Sequence, residues 1–88
     1  MAKLTDNEFY LLMYRHSNGV TNYWALFDSL EAAAQDGPLC YKNQAGVDLG
    51  SMLKAEMVRR LLKYEVFSDQ FSGLTLWIDT VPLYTQTK

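Results

Sequence analysis

The chain is poor in the residues that most often carry chemistry. It has one cysteine, Cys40, and one histidine, His16. A single cysteine excludes any disulfide within the chain and fits a reducing compartment. One Cys and one His do not make a zinc site, and no carboxylates stand around them at ligand spacing. A Cys–His nucleophile pair would need the two to meet in space; a buried structural thiol and a histidine beside a turn are the simpler expectation. Long apolar runs are missing too. The longest covers residues 9–14, far too short to span a bilayer, and the opening six residues hold no signal-peptide core. A cytoplasmic protein without membrane contact is expected. The chain also has no Asn-x-Ser/Thr sequon, internal repeat or low-complexity stretch. A strong charge of one sign is absent as well. The net charge is −2, which argues against a polyanion-coating protein and against a densely acidic mimic of nucleic acid.

What is present suits one small folded domain. Its 88 residues are 49% hydrophobic and 20% charged, the balance of a globular chain. A single domain is expected over 1–88, with 85–88 as a fraying tail. Aromatics are 14% of the chain, with six Tyr, four Phe and two Trp. A domain of this length buries only about 60–65% of its unfolded surface, so some of them are expected outside, where Tyr and Trp favour protein contacts.

The pattern predicts an α+β fold. Residues 9–16 and 21–27 form a hairpin about Ser17, Asn18 and Gly19, because Asn-Gly between two aromatic-rich runs favours a tight turn. A helical hairpin is the alternative, with Thr5 and Glu8 as a capping box and Leu4 and Phe9 as its staple. A helix is predicted over 29–36, with Asp28 as cap, Glu31 as its partner, Gly37 in the left-handed stop position and Pro38 blocking continuation. Residues 39–41 fit a short strand and 42–50 a loop. A second helix follows over 52–64, capped by Ser51, with Leu53, Met57, Val58, Leu61 and Leu62 as its apolar stripe. Lys54 falls inside that stripe, so its stem packs and its ammonium snorkels out. Strands over 65–68 and 74–80 form a C-terminal hairpin, with Pro82 ending the pairing or marking an edge.

Catalysis finds little support in this arrangement. A glycosidase-like carboxylate pair needs a cleft that a domain of this size seldom builds. Gly46-Val47-Asp48-Leu49-Gly50-Ser51 stands before a helix, yet a phosphate loop needs Lys after its last Gly, and Asp48 repels phosphate. No enzyme activity, cofactor or metal is expected. The feature with most weight is the basic second helix: four of the eight Lys and Arg lie between positions 54 and 63. Arg59, Arg60 and Lys63 share a solvent face with Glu56, and Glu56–Arg60 is a favourable i,i+4 pair. Trp24 and Trp77 are candidate exposed anchors.

Two functions follow as expectations. The first is a non-catalytic protein-binding module that uses Glu56, Arg59, Arg60, Lys63, Trp24 and Trp77. In size, lone cysteine and lack of active-site chemistry the chain resembles the small proteins of phages and mobile elements that block a host complex, as anti-CRISPR proteins do. That likeness is one of type and has no motif behind it. The alternative is a winged-helix-like nucleic-acid binder in which Lys54, Arg59, Arg60 and Lys63 enter the major groove and the following hairpin is the wing. A homodimer through an edge strand near 75–80 is compatible with either.

Overall fold

The structure, a computed structural model, describes residues 2–86, with side chains over 8–82. Four strands form one antiparallel sheet and three helices pack on one of its faces. Strand β1 spans Ala2–Arg15 and β2 spans Thr21–Phe27. The hairpin, and not the helical alternative, is the structure of this half. His16 and Val20 close it, Gly19 takes φ 91°, and the Asn18 Oδ1 accepts from the Val20 N–H at 3.0 Å. Asn-Gly meets both needs of the turn, since glycine enters left-handed space freely and Asn bonds its own backbone.

Helix α1 covers Leu30–Gln35. Its cap is Ser29, not Asp28: the Ser29 Oγ accepts from the Ala32 N–H at 3.1 Å. Gly37 is not a left-handed stop either. It opens α2, Gly37–Ala45, with Pro38 in the first turn. Proline blocks a helix from continuing into it, but it suits a first turn, where its missing N–H has no partner to lose. The expected strand over 39–41 and much of the expected loop are therefore helical. The left-handed stop falls at Gly46, φ 74°, whose N–H reaches the Lys42 carbonyl at 2.9 Å. Gly37 serves packing instead: a Cβ placed there would lie 2.5 Å from Leu61 Cδ1, so glycine lets α2 start directly against the next helix.

Helix α3, Ser51–Tyr64, begins after Gly50 with no side-chain cap and ends at Glu65. Glu65 adopts φ 59° and its N–H bonds to the Leu61 carbonyl. Met57 and Leu61 are fully buried and Val58 packs beside them, whereas Leu53 and Leu62 of the expected stripe lie at the surface. Strand β3 is short, Val66–Ser68, and β4 runs from Thr75 to Gln86. Pro82 does not end the pairing. It sits where β4 has β1 on one side and no strand on the other, the place in a sheet that tolerates proline. The expected tail at 85–88 is in the ladder through Gln86, and positions 87 and 88 lie outside the described residues.

The sheet order is β2-β1-β4-β3. The molecule is elongated, 50 × 27 × 18 Å, because β1 and β4 stay paired beyond the other elements, out to Ala2 opposite Gln86. Leu12, Leu74, Leu76 and Ile78 of the sheet meet Ala33, Ala34, Cys40, Tyr41, Met57 and Leu61 of the helices in one core. No helix among the described residues is long and apolar enough to cross a membrane.

Candidate protein-docking face

Strand register assigns each sheet residue to a face, because directly opposed residues point the same way. Leu12 opposes Ile78, and Tyr14 opposes Leu76, which in turn opposes Phe67. All belong to the core or pack on it, so this is the helix-covered face. The residues between them form the other face. Met13 opposes Tyr23 on one side and Trp77 on the other, and Trp77 opposes Val66. One row of apolar and aromatic side chains thus crosses all four strands. The next row is Leu26, Leu11 and Asp79, and beyond it Phe9 opposes Val81. No described element covers this face. Tyr23 is 64% exposed and Leu26 55%, while Phe9, Leu11, Met13 and Trp77 are half-buried among their cross-strand neighbours. Trp77 Nε1 donates to Asp79 Oδ2 at 3.2 Å, which holds the indole over the sheet.

Strand β1 carries the sequence cause. Phe9, Leu11 and Met13 alternate with Tyr10, Leu12 and Tyr14, so the strand is apolar on both sides. Such a run is characteristic of a strand buried on both faces. Here the helices cover one side alone.

The two tryptophans part company. Trp24 sits at an irregularity of β2, where Leu12 pairs with Ala25 and Met13 with Tyr23. The extra residue turns its indole to the helix side, where it packs on the core and Nε1 donates to Asp36 Oδ2 at 2.6 Å. Trp24 is thus a structural residue and not the exposed anchor expected of it. Trp77 does lie on the open face.

The basic helix is partly paired from within, one carboxylate against two guanidiniums. Glu56 Oε1 accepts from Arg59 at 2.7 Å and from Arg60 at 2.8 Å, and Oε2 accepts from Arg59 at 2.9 Å. The two guanidiniums, bonding first through Arg59 and then Arg60, hold the Glu56 carboxyl down to about 2, and Glu56 pushes Arg59 up. Arg60 also lies 6.0 Å over the Phe67 ring, and Lys63 5.3 Å over Tyr64. Lys54 does snorkel: its ammonium reaches Asp48 at 3.1 Å, with Lys42 on the same carboxylate at 3.8 Å. These partners, Lys54 foremost, keep the Asp48 carboxyl below its usual range. The glycine-flanked loop before α3 is therefore held by an internal ion cluster. The hairpin that follows α3 joins β3 to β4, and β4 pairs on its other side with β1.

A cleft of about 700 Å³ opens between α2, α3 and the β3–β4 loop, lined by Leu53, Phe67 and Phe71 among others. Phe71 is fully exposed at its lip, and nothing in the sequence patterning singled it out. The polar groups there already serve one another: Tyr41 donates to Asp69, and so does Ser72 Oγ at 2.6 Å. These bonds, Ser72 first, lower the Asp69 carboxyl, and burial with the Asp69 bond raises the Tyr41 phenol.

The Cys40 thiol is buried in the core, and burial, helped by Asp36, pushes it up to about 12. It is a protonated packing group at neutral pH and no nucleophile. His16 Nε2 meets Gln44 Oε1 at 3.0 Å, and its ring stands edge-on to Tyr14. Among the described residues no group of His, Cys, Asp or Glu has a metal-binding arrangement. Comparison of the chain with protein-family models, with curated proteins and with solved structures gives no match.

Proposed function

We propose that the chain is a non-catalytic protein-binding module whose docking surface is the open face of its sheet, centred on Trp77, Met13 and Tyr23. The observation that supports this is the apolar row crossing all four strands on the side without helices. Contiguous apolar surface rimmed by polar groups marks interaction sites in soluble domains. Aromatic anchors on a paired backbone carry such contacts at low entropic cost. A module of this kind acts by occupying a surface, as a small inhibitor of a larger complex does. The charged face of α3 has less to offer, because Glu56 already engages both of its arginines.

The test is affinity capture with the tagged chain, with and without nuclease. The tagged Trp77→Ser/Tyr23→Ser and Arg59→Glu/Arg60→Glu variants are run beside it. The expected result is a protein partner, a second copy of the chain included, that survives nuclease, is lost with the sheet-face variant and stays with the helix variant. Loss with the helix variant alone would transfer the surface to α3. Partners that vanish on nuclease treatment would favour a nucleic-acid binder.

A further inference from the structure

We infer that the occupant of the open sheet face is a second copy of this chain, stacked face to face about a two-fold axis that runs across the strands over the Met13–Trp77 row. The inference rests on the docking face described above and adds its partner.

Charge complementarity identifies the occupant. Next to the Met13–Trp77 row on one side lies the row of Thr21, Arg15, Thr75 and Ser68. Next to it on the other side lies the row of Leu26, Leu11 and Asp79. Among the described residues of these three rows, Arg15 is the one cation and Asp79 the one anion. Neither has an ion-pair partner within its own chain there. They stand equally far, two residues along the strand, on opposite sides of the central row.

A two-fold axis across the strands leaves the central row facing itself and exchanges the rows on either side. Arg15 of each copy then stands over the Leu11–Asp79 pair of the other. The self-facing row joins apolar to apolar, and both charges find partners, twice. A partner without this symmetry would leave Arg15 and Asp79 desolvated with no built-in counter-charge. Stacked sheets sit about 10 Å apart with strand directions within about 30°, a gap that an arginine side chain spans.

A face of this size makes a limited contact. Four strands about 4.8 Å apart and seven residues at about 3.3 Å each give a face of about 19 by 23 Å. Two such faces bury about 900 Å² in all, the size of a weak, transient contact. The expected behaviour is a weak, reversible dimer with a dissociation constant on the order of micromolar or above.

Sedimentation equilibrium of the full chain from about 1 to 500 μM tests this, with far-ultraviolet circular dichroism as a control for folding. The expected result is a monomer–dimer equilibrium. Arg15→Asp and Asp79→Arg should each weaken it at least tenfold, and Arg15→Asp/Asp79→Arg together should restore it to within about threefold. A monomer at every concentration, or a dimer indifferent to either single reversal, overturns the inference. The docking face has its own readout, since a monomeric chain that still loses a captured partner through Trp77→Ser/Tyr23→Ser keeps the face and loses the second copy.

Discussion

The two faces of the one sheet are made from the same strands yet differ in what holds them. On the helix side each inward residue meets another layer: Leu12, Leu76 and Ile78 sit against α1, α2 and α3 at near-zero exposure. On the other side Leu11, Met13 and Trp77, their immediate chain neighbours, meet only cross-strand neighbours of the same face and solvent. Burial on the first face is complete within the chain, so its residues stabilise the fold. The second face is apolar without a layer over it, so its residues contribute little to folding and are available for association. Residue type alone does not separate the two, because both faces of β1 are equally apolar.

The largest test of that contrast sets neighbours against each other. Leu76→Ala opens a cavity in the core and should cost about 2–5 kcal/mol in urea unfolding. Trp77→Ser, the next residue, gives up cross-strand contacts and should cost about 1 kcal/mol, and it should abolish the proposed association. Equal losses would mean that the open face is part of the folding core. Next in size is Gly37→Ala. The new Cβ meets Leu61 Cδ1, and forcing α2 from α3 should cost about 1–3 kcal/mol, seen as a lower urea midpoint with an unchanged slope.

The polar clips of the helix side come after these. Trp24→Phe keeps a ring against the core and removes the bond to Asp36; a loss of about 1–2 kcal/mol is expected, with no change in association. Tyr41→Phe removes the bond to Asp69 and should cost about 1 kcal/mol at neutral pH. The folded Asp69 carboxyl lies below its usual value. Its contribution is therefore complete above the unfolded value of about 3.9 and is lost as pH falls through the folded one. Wild type and Tyr41→Phe should thus converge in stability as pH falls below the usual carboxylate value and through the lowered folded one, and parallel curves would refute the clip. The smallest effect belongs to Glu56→Gln. Its ion pairs are exposed and surface pairs contribute little. The melting temperature at pH 7 should barely move, and what difference exists should fade from about pH 4 towards the folded value of about 2.

Much of this architecture is legible in the sequence where a local signal has one meaning. Asn18-Gly19 between two aromatic runs specifies a hairpin, and that hairpin is present. The end of α3 before Glu65 and the alternation of Leu74, Leu76 and Ile78 are equally plain. Legibility fails where one signal serves two structures. Gly37-Pro38 ends a helix or begins one, and the choice depends on the close approach of Leu61, which is tertiary. Trp24 and Trp77 look alike as exposed anchors, and one extra residue in β2 is enough to send Trp24 to the core. The open face itself was foreshadowed in residues 9–14, since six consecutive apolar residues in a strand imply cover on two sides. What covers the second side is a property of packing that no local pattern encodes.

The sheet order has a consequence for how the molecule is made. β1 is synthesised first and β4 last, yet they are neighbours at the centre of the sheet. Pairing Arg15 with Thr75 closes most of the chain into a single loop, whose entropy is lost before the central ladder is gained. Until β4 has left the ribosome, β1 has β2 on one edge, bare backbone on the other, and apolar side chains above and below. The nascent chain is thus at its most adhesive in the interval between the synthesis of β1 and that of β4. The central ladder therefore forms only after β4 has emerged, more slowly than the local contacts of a helical domain of the same length, and the first strand is exposed to misassembly until then.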